Sequence, residues 1–204
     1  MQLYFSPGAC SLATHITLEW IGKPYTTHKV DIHPQHSAEL TQANPQGKVP
    51  VLFGDDGWVL TQNSAILNYL ADTNPEAKLA GDGTPKSRAE VNRWLGMVNS
   101  DMHPRYWPLF GGAEFLGDPK MIEKAKANTR AVLRKQFEIV NRQLKGRDWL
   151  AGTRSIADPY LFVMIRWAKM QKVDLSGLAE VERFFKHMES DPGVRKVLDQ
   201  ESHA

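Results

Sequence analysis

The 204-residue sequence predicts an α/β N-terminal domain followed by an all-α C-terminal domain. Two observations carry this prediction. The first 73 residues combine short apolar runs with helical spacings, in the order strand, helix, strand, helix, hairpin, helix. After a Pro- and Gly-containing linker at residues 74–84, the apolar residues recur at helical spacing only. We therefore place the two domains at residues 1–77 and 84–204.

The N-terminal domain is predicted to contain a small mixed sheet. Its elements are the strand QLYFS, a helix from Ser11 to Ile21, the strand THKVDI, the short helix SAELTQ, the hairpin VPVLFGDDGWVLT and the helix SAILNYLAD. Gly22 and Pro24 end the first helix. This order favours a parallel first strand pair joined by a crossover helix, with the hairpin at one edge of the sheet.

The C-terminal domain is predicted to be helical throughout. The segment SIADPYLFVMIRWA is apolar on nearly all sides, which is typical of a buried central helix. Ser155 and Asp158 resemble a capping box at its start, with Asp in place of Glu. Further helical patterns are carried by Val91 to Met102, Ile122 to Leu144, Val181 to Met188, and Val194 to Leu198.

Composition narrows the functional classes. The formal net charge of +2 requires no polyanionic partner, and the single cysteine excludes an internal disulfide. No apolar run approaches the ~18 residues of a membrane span, and the N-terminus lacks the features of a signal peptide. We interpret the basic stretch Lys120 to Lys135 as the solvent face of an amphipathic helix. A cytoplasmic protein without nucleic-acid or membrane partners is expected.

Several motifs together resemble one protein family. They are LYFSPGACSLATHITL, NPQGKVPVL, LTQNSAILNYLAD, NSDMHPRYWPLF, SIADPYLF and MESDPGV, in this order along nearly the whole chain. The chain resembles a bacterial glutathione S-transferase of the beta class. The resemblance implies a thioredoxin-like N-terminal domain, an all-helical C-terminal domain and a homodimer. It also implies that glutathione is the co-substrate and that its thiolate is conjugated to hydrophobic electrophiles.

The lone cysteine, Cys10, lies in SPGACSL, where a turn becomes a helix. A thiol at a helix N-terminus commonly has its pKa lowered from ~8.5, so we expect a reactive Cys10. The resemblance implies that Cys10 accepts glutathione as a mixed disulfide, and that Cys10, Ser11 and His103 form the catalytic set. The alternative is that Cys10 is a small buried hydrophobic residue, as most single cysteines are.

The resemblance also implies how glutathione is held. Val49 precedes a cis proline, Pro50, and pairs with the cysteinyl backbone of the ligand. Gln62 and Asn63 receive the γ-glutamyl end at a helix N-terminus, although simple helix capping is an alternative for both. Gln35 matches the position that binds the glycine carboxylate. His33 and His36 lack Cys or acidic partners nearby, so no metal site is expected.

The C-terminal domain contributes the other side of the predicted site. The resemblance places Ser100, Asp101 and His103 against glutathione, with Asp101 acting across the dimer interface. From their positions, Tyr106, Trp107 and Trp167 are predicted to wall the electrophile pocket, and the alternative is that these aromatic residues belong to the core. Two other functions stay open: a glutathione-dependent disulfide reductase using Cys10, and a non-catalytic protein that binds glutathione and apolar ligands.

Overall fold

The computed structural model describes residues 1–32 and 38–204. The N-terminal elements are β1 (Gln2–Phe5), α1 (Ser11–Ile21), β2 (Thr26–Lys29), α2 (Ala38–Ala43), β3 (Val51–Phe53), β4 (Val59–Thr61) and α3 (Asn63–Thr73). The strand order in the sheet is β2-β1-β3-β4. β1 pairs parallel with β2 and antiparallel with β3, and β3 pairs antiparallel with β4. The predicted parallel pair and the hairpin are both confirmed.

Alternate residues of β1 are buried, and this buried face of the sheet packs against helix α3. Leu3 and Phe5 of β1 are buried, and they pack with Ile66 and Leu70 of α3. The helical spacing of Ile66 and Leu70 places them on one face of α3, so burial of that face orients the start of the helix. A separate cluster joins Leu40 of α2 to residues next to and within β3.

The C-terminal domain is helical, as predicted. Its helices are α4 (Pro85–Gly96), α5 (Pro119–Gln143), α6 (Ala157–Met170), α7 (Ala179–Ser190) and α8 (Pro192–Ser202). Between α4 and α5 the chain continues as a π-helical turn at Met97–Met102 and 3₁₀-helical segments at His103–Phe110 and Glu114–Leu116. Within residues 1–32 and 38–204, no helix combines the length and the apolar character needed to span a membrane.

Helix α6 is the buried centre of the molecule. All residues from Ala157 to Ile165 are buried. The predicted capping pair forms in an altered arrangement: Asp158 accepts from the Ser155 N–H at 2.7 Å, while the Ser155 hydroxyl accepts from the Ala157 N–H at 3.3 Å. Asp158 also accepts from the N–H of Leu150 at 2.8 Å. Pro159 lies in the first turn of the helix, where its missing N–H removes no helical hydrogen bond.

Helix α1 joins the two domains. Leu12 and Ile16 of α1 belong to one hydrophobic cluster together with the buried residues of α6. On the turn before α1, the Gly8 N–H donates to Glu201 of α8 at 3.0 Å. The Gly8 carbonyl accepts from Trp167 Nε1 at 2.9 Å. The C-terminal domain therefore fixes the position of the turn that leads to Cys10.

The basic face of α5 is paired locally. Lys126 bonds Glu114 at 3.2 Å, and Arg134 bonds Glu138 at 3.1 Å. Arg130 donates to the carbonyl of Gln171 at 2.9 Å. These contacts agree with the interpretation of this stretch as the solvent face of an amphipathic helix.

Candidate active site

The turn before α1 brings Cys10 to the start of the helix. The Ala9 N–H donates to the Ser6 carbonyl at 3.0 Å, and Gly8 has a φ of +72°. This backbone conformation favours glycine because a Cβ is strained there. Cys10 directly precedes the first helical residue and is partly exposed. The predicted location of the thiol at the turn-to-helix junction is confirmed.

The chemistry of the Cys10 thiol differs from the prediction. Burial raises its pKa to about 12, although the N–H groups of Cys10 and Ser11 and the charge of Lys48 act in the opposite direction. The thiol donates to the Val49 carbonyl at 3.3 Å, which further favours the protonated form. The expected lowering of the Cys10 pKa is therefore wrong for the glutathione-free protein, because desolvation outweighs the helix N-terminus.

The Ser11 side chain does not face the ligand side of this junction. Its hydroxyl donates to the Ser6 carbonyl at 3.3 Å and accepts from the Ser6 N–H at 3.2 Å, and Ser11 is fully buried. A role for this hydroxyl in stabilising a thiolate is thus not supported. The backbone N–H of Ser11, in contrast, is directed at the Cys10 sulfur.

The segment before β3 lies against Cys10. The Val49–Pro50 bond is cis, as predicted, and the Val49 carbonyl accepts a hydrogen bond from the Cys10 thiol. Lys48 is exposed, and its positive charge lowers the pKa of both Cys10 and His103. The sequence analysis missed Lys48. The signal was its position as the single cation of NPQGKVPVL, directly before the predicted cis bond.

The start of α3 is tied to the start of α1. Asn63 Nδ2 donates to the Cys10 carbonyl at 2.9 Å, and Asn63 Oδ1 accepts from the Thr14 hydroxyl at 2.7 Å. The buried side-chain amide of Asn63 thus forms hydrogen bonds within the protein, so only the backbone N–H of Asn63 is available to a ligand. Gln62, the residue before the helix, is exposed with a φ of +72° and makes no side-chain cap. The capping alternative is therefore wrong, because the Gln62 side chain does not cap the first N–H groups of α3.

His103 stands at the first position of the 3₁₀-helical segment and is half-buried. Its Nδ1 lies 2.5 Å from the hydroxyl oxygen of Tyr160, which in turn lies 3.2 Å from Oδ1 of Asn99. The imidazole also packs edge-on against Trp167, with ring centres 5.0 Å apart. Burial and the charge of Lys48 lower the pKa of His103 to about 4. His103 is therefore neutral at pH 7.

Three further predicted ligand contacts have separate positions. Ser100 and Asp101 are exposed on the π-helical turn, and the Asp101 carbonyl accepts from Gln136 Nε2 at 2.7 Å. No described contact within one chain brings either side chain to Cys10. Gln35 lies outside the described residues, as do His33 and His36. Among residues 1–32 and 38–204 no group of three or more His, Cys, Asp and Glu side chains is arranged to hold a metal ion.

The predicted aromatic walls divide into core and surface. Tyr106 is fully buried and donates to the Met164 carbonyl at 2.7 Å, so its assignment to the electrophile pocket is wrong. Trp167 is 8% exposed and packs between His103 and Phe110. Trp107 is 60% exposed and stacks on Phe115.

The sequence analysis missed Phe110, which is 47% exposed and lies 5.0 Å from Trp167 between ring centres. It extends the apolar surface outward from His103. The Trp107 indole approaches Gly112 closely, where a Cβ would lie 2.2 Å from the ring. A glycine is therefore required at this position for the indole to keep its place.

Comparisons with known proteins agree with this geometry. The family model for the glutathione S-transferase N-terminal domain matches residues 7–73, and the model for the C-terminal domain matches residues 102–192. A glutathione S-transferase of Xanthomonas campestris is 48% identical over 98% of both chains.

Solved structures of glutathione S-transferases are also similar to this chain in fold. A beta-class glutathione S-transferase of Sphingomonas chungbukensis superposes with a TM-score of 0.86 at 34% identity, covering 100% of both chains. A sphingomonad glutathione S-transferase complexed with glutathione gives the same TM-score, identity and coverage. The resemblance to the bacterial beta class is confirmed, and the chain belongs to the glutathione S-transferase family.

Proposed function

We propose that the protein is a glutathione transferase that binds glutathione at the junction of α1, β3 and α3 and adds its thiolate to hydrophobic electrophiles. The observation that carries this proposal is the hydrogen bond from Asn63 to the Cys10 carbonyl, which places the N-terminus of α3 beside that of α1. An anionic tripeptide gains from both, since helix N-termini bind anions through free N–H groups. The glutathione complex of the sphingomonad relative supports the same ligand here.

Glutathione has three parts, and the site offers a partner for each. The γ-glutamyl carboxylate lies on the first N–H groups of α3, and the exposed amide of Gln62 accepts from the ligand ammonium. The cysteinyl backbone pairs with Val49. The glycine carboxylate is held by Lys48, with Gln35 as a second candidate. Lys48 supplies the charge that a neutral Gln35 lacks.

The thiolate forms at the start of α1. The cysteinyl N–H of glutathione donates to the Val49 carbonyl and replaces the Cys10 thiol there. The Cys10 thiol can then donate a hydrogen bond to the glutathione sulfur. The high pKa of Cys10 then helps catalysis, because Cys10 stays neutral and a single negative charge occupies the junction. The Ser11 N–H and the neutral imidazole of His103 donate to the same sulfur, and the thiol proton leaves to solvent.

The electrophile is received on the apolar surface formed by Trp167, Phe110 and Trp107. This surface begins at the His103 ring and runs outward. The thiolate attacks the electrophilic carbon, a carbon–sulfur bond forms, and the leaving group departs with the bonding electron pair. Desolvation by the aromatic rings strengthens the polar contacts to the thiolate.

A disulfide reductase acting through Cys10 is the second candidate function. It is favoured by the partial exposure of the thiol and disfavoured by its raised pKa, because the thiolate is the reacting form. A non-catalytic binding protein would show saturable glutathione binding without turnover.

We also propose a cytoplasmic homodimer, as the family resemblance implies. Asp101 is exposed within one chain, so a second subunit is needed to bring its carboxylate to the ligand. Light scattering measures this directly: a mass of a single 23.0 kDa chain would reject the dimer.

The glutathione placement predicts the effect of two substitutions. Gln62→Ala and Lys48→Met should each weaken glutathione binding by about 1–3 kcal/mol, because each removes a polar contact to a charged ligand group. Calorimetric titration of the folded variants measures this change. The control is Lys145→Met, which removes another exposed cation and should leave the affinity unchanged. Wild-type affinity in both Gln62→Ala and Lys48→Met would contradict the placement.

A further inference from the structure

The hydroxyl of Tyr160 stands between His103 and Asn99 in the buried part of the site. Tyr160 comes from α6, His103 from the 3₁₀-helical segment and Asn99 from the π-helical turn. The side chain of Tyr160 is 1% exposed, so its hydroxyl is paired by protein groups. The hydroxyl has one proton. It contacts His103 and Asn99, and the side chain of Asn63 also hydrogen-bonds to it. The neighbour that accepts the hydrogen bond of the hydroxyl determines the state of the imidazole.

The two distances indicate which neighbour accepts the hydrogen bond of the Tyr160 hydroxyl. Hydrogen bonds from hydroxyl groups span about 2.5–3.0 Å, and those from N–H groups about 2.7–3.2 Å. The contact of Tyr160 with His103 Nδ1 is 2.5 Å, which is at the short limit for a hydroxyl donor and below the usual range for an N–H donor. The contact with Oδ1 of Asn99 is 3.2 Å, which is longer than the usual range of a hydroxyl donor.

We propose that the Tyr160 hydroxyl donates a hydrogen bond to Nδ1 of His103 and thereby fixes the neutral imidazole in the tautomer that carries its proton on Nε2. Asn99 Oδ1 is the more distant of the two acceptors, so His103 is left as the main acceptor of the Tyr160 hydroxyl. Tyr160 is then a positioning residue, since it acts through His103 and touches no substrate.

The charge states of the neighbours support this arrangement. Burial raises the pKa of Tyr160, so the phenol keeps its proton. Burial and the charge of Lys48 hold His103 neutral, so it has one N–H only. The titratable groups that face the pair are Lys48 from the segment before β3 and Cys10 from the start of α1. Neither is the acceptor or donor at Nδ1.

The tautomer decides what His103 does in the reaction, and this consequence rests on the proposed function. With its proton on Nε2, the imidazole donates a hydrogen bond to the glutathione thiolate and cannot accept the thiol proton at that nitrogen. In the opposite tautomer, Nε2 would carry no proton and would accept a hydrogen bond, so His103 would act as a general base. The geometry at Tyr160 thus assigns His103 as a thiolate stabiliser.

The first test needs no glutathione and is therefore independent of the proposed function. Nitrogen-15 NMR of histidine-labelled protein distinguishes the two neutral tautomers, and the H103Q variant identifies the His103 signals among those of the seven histidines. We expect the Nε2–H tautomer in the wild-type protein and loss of this preference in Tyr160→Phe. The Nδ1–H tautomer in the wild-type protein would overturn the proposal, and this readout does not depend on the variant folding.

The second test measures the consequence. The ultraviolet absorbance of thiolate, followed against pH in the glutathione complex, reports the pKa of the bound thiol. Tyr160→Phe should raise that pKa by about one unit. Without the Tyr160 hydroxyl the imidazole exchanges between its two tautomers, and only one of them donates from Nε2 to the sulfur. The matched control is Tyr106→Phe, which removes another buried hydroxyl from the same aromatic cluster without touching His103. Equal shifts in both variants would show a structural effect only and overturn the proposal.

A double substitution separates Tyr160 from His103. Glutamine carries an NH₂ group close to the position of Nε2, so H103Q retains a donor that does not depend on Tyr160. Tyr160→Phe should therefore produce no further shift of the thiol pKa in the H103Q background. The full shift in that background would contradict an action through His103.

Discussion

Asp158→Ala is expected to lower the free energy of unfolding by about 3–5 kcal/mol. Asp158 is fully buried at the start of α6, where its carboxylate accepts from the N–H groups of Leu150 and Ser155 and from the Ser155 hydroxyl. Alanine would leave these buried donors without partners and would loosen the first turn of the central helix. Urea denaturation followed by circular dichroism measures the loss.

The control for this prediction is Asp118→Ala. Asp118 caps α5 through the N–H of Lys120, but this contact is exposed to solvent. Water replaces the lost acceptor there, so the cost should be about 1 kcal/mol. A loss in Asp158→Ala no greater than that in Asp118→Ala would contradict the view that burial makes this cap important.

Asp158 also gives the stability a defined pH dependence. Burial raises the pKa of Asp158 to about 7, whereas the same group titrates near ~3.9 in the unfolded chain. The folded state therefore binds this proton more tightly. The contribution is fully present below about pH 4 and is lost as the pH rises through about 7. The unfolding free energy of Asp158→Ala should lack this component.

Glu201→Ala is expected to lower the free energy of unfolding by about 2–4 kcal/mol and to weaken glutathione binding. Glu201 is a buried carboxylate on α8 that accepts from the Gly8 N–H at 3.0 Å and contacts His15 Nδ1 at 3.1 Å. Within the described residues, His15 Nε2 is buried without a hydrogen-bond partner, so this removal leaves the whole imidazole unpaired. It also frees the turn that positions Cys10.

Asp199→Ala is the matched control on the same helix. Asp199 contacts His203 at 3.5 Å, and both side chains are largely exposed. Exposed pairs of this kind contribute little, so the change should stay within about 0.5 kcal/mol. Equal stability of the two variants, with unchanged glutathione affinity, would show that the contact of α8 with the Gly8 turn has no role in the site.

The sequence predicted the fold well because the periodic signals were strong. Residues Ser11 to Ile21 form a helix with the predicted bounds, and Gly22 ends it in a left-handed conformation. The apolar face of α5 is less regular: Val132 is 39% exposed, whereas Phe137 is fully buried. A helix of 25 residues that meets different neighbours along its length does not keep one apolar face.

The candidate site was predictable in position and less so in chemistry. Cys10 was placed correctly by local signals, but its pKa depends on burial and on the Val49 carbonyl, 39 residues away in sequence. The same applies to Tyr160, whose partner His103 is 57 residues away. Such contacts arise from tertiary packing and leave no local pattern. Tyr106 was assigned to the pocket for the related reason that sequence spacing does not distinguish a buried aromatic face from an exposed one.

The central claim is that the bound glutathione thiolate, not Cys10, is the nucleophile. The measurement that tests it most directly is conjugation of glutathione to chlorodinitrobenzene by the wild-type protein and by Cys10→Ala, with the S-aryl product identified by mass spectrometry. The account predicts saturable turnover in both proteins, with loss of disulfide exchange alone in the variant. Conjugation at the uncatalysed rate in the wild-type protein, or its complete loss in a folded Cys10→Ala variant, would contradict it.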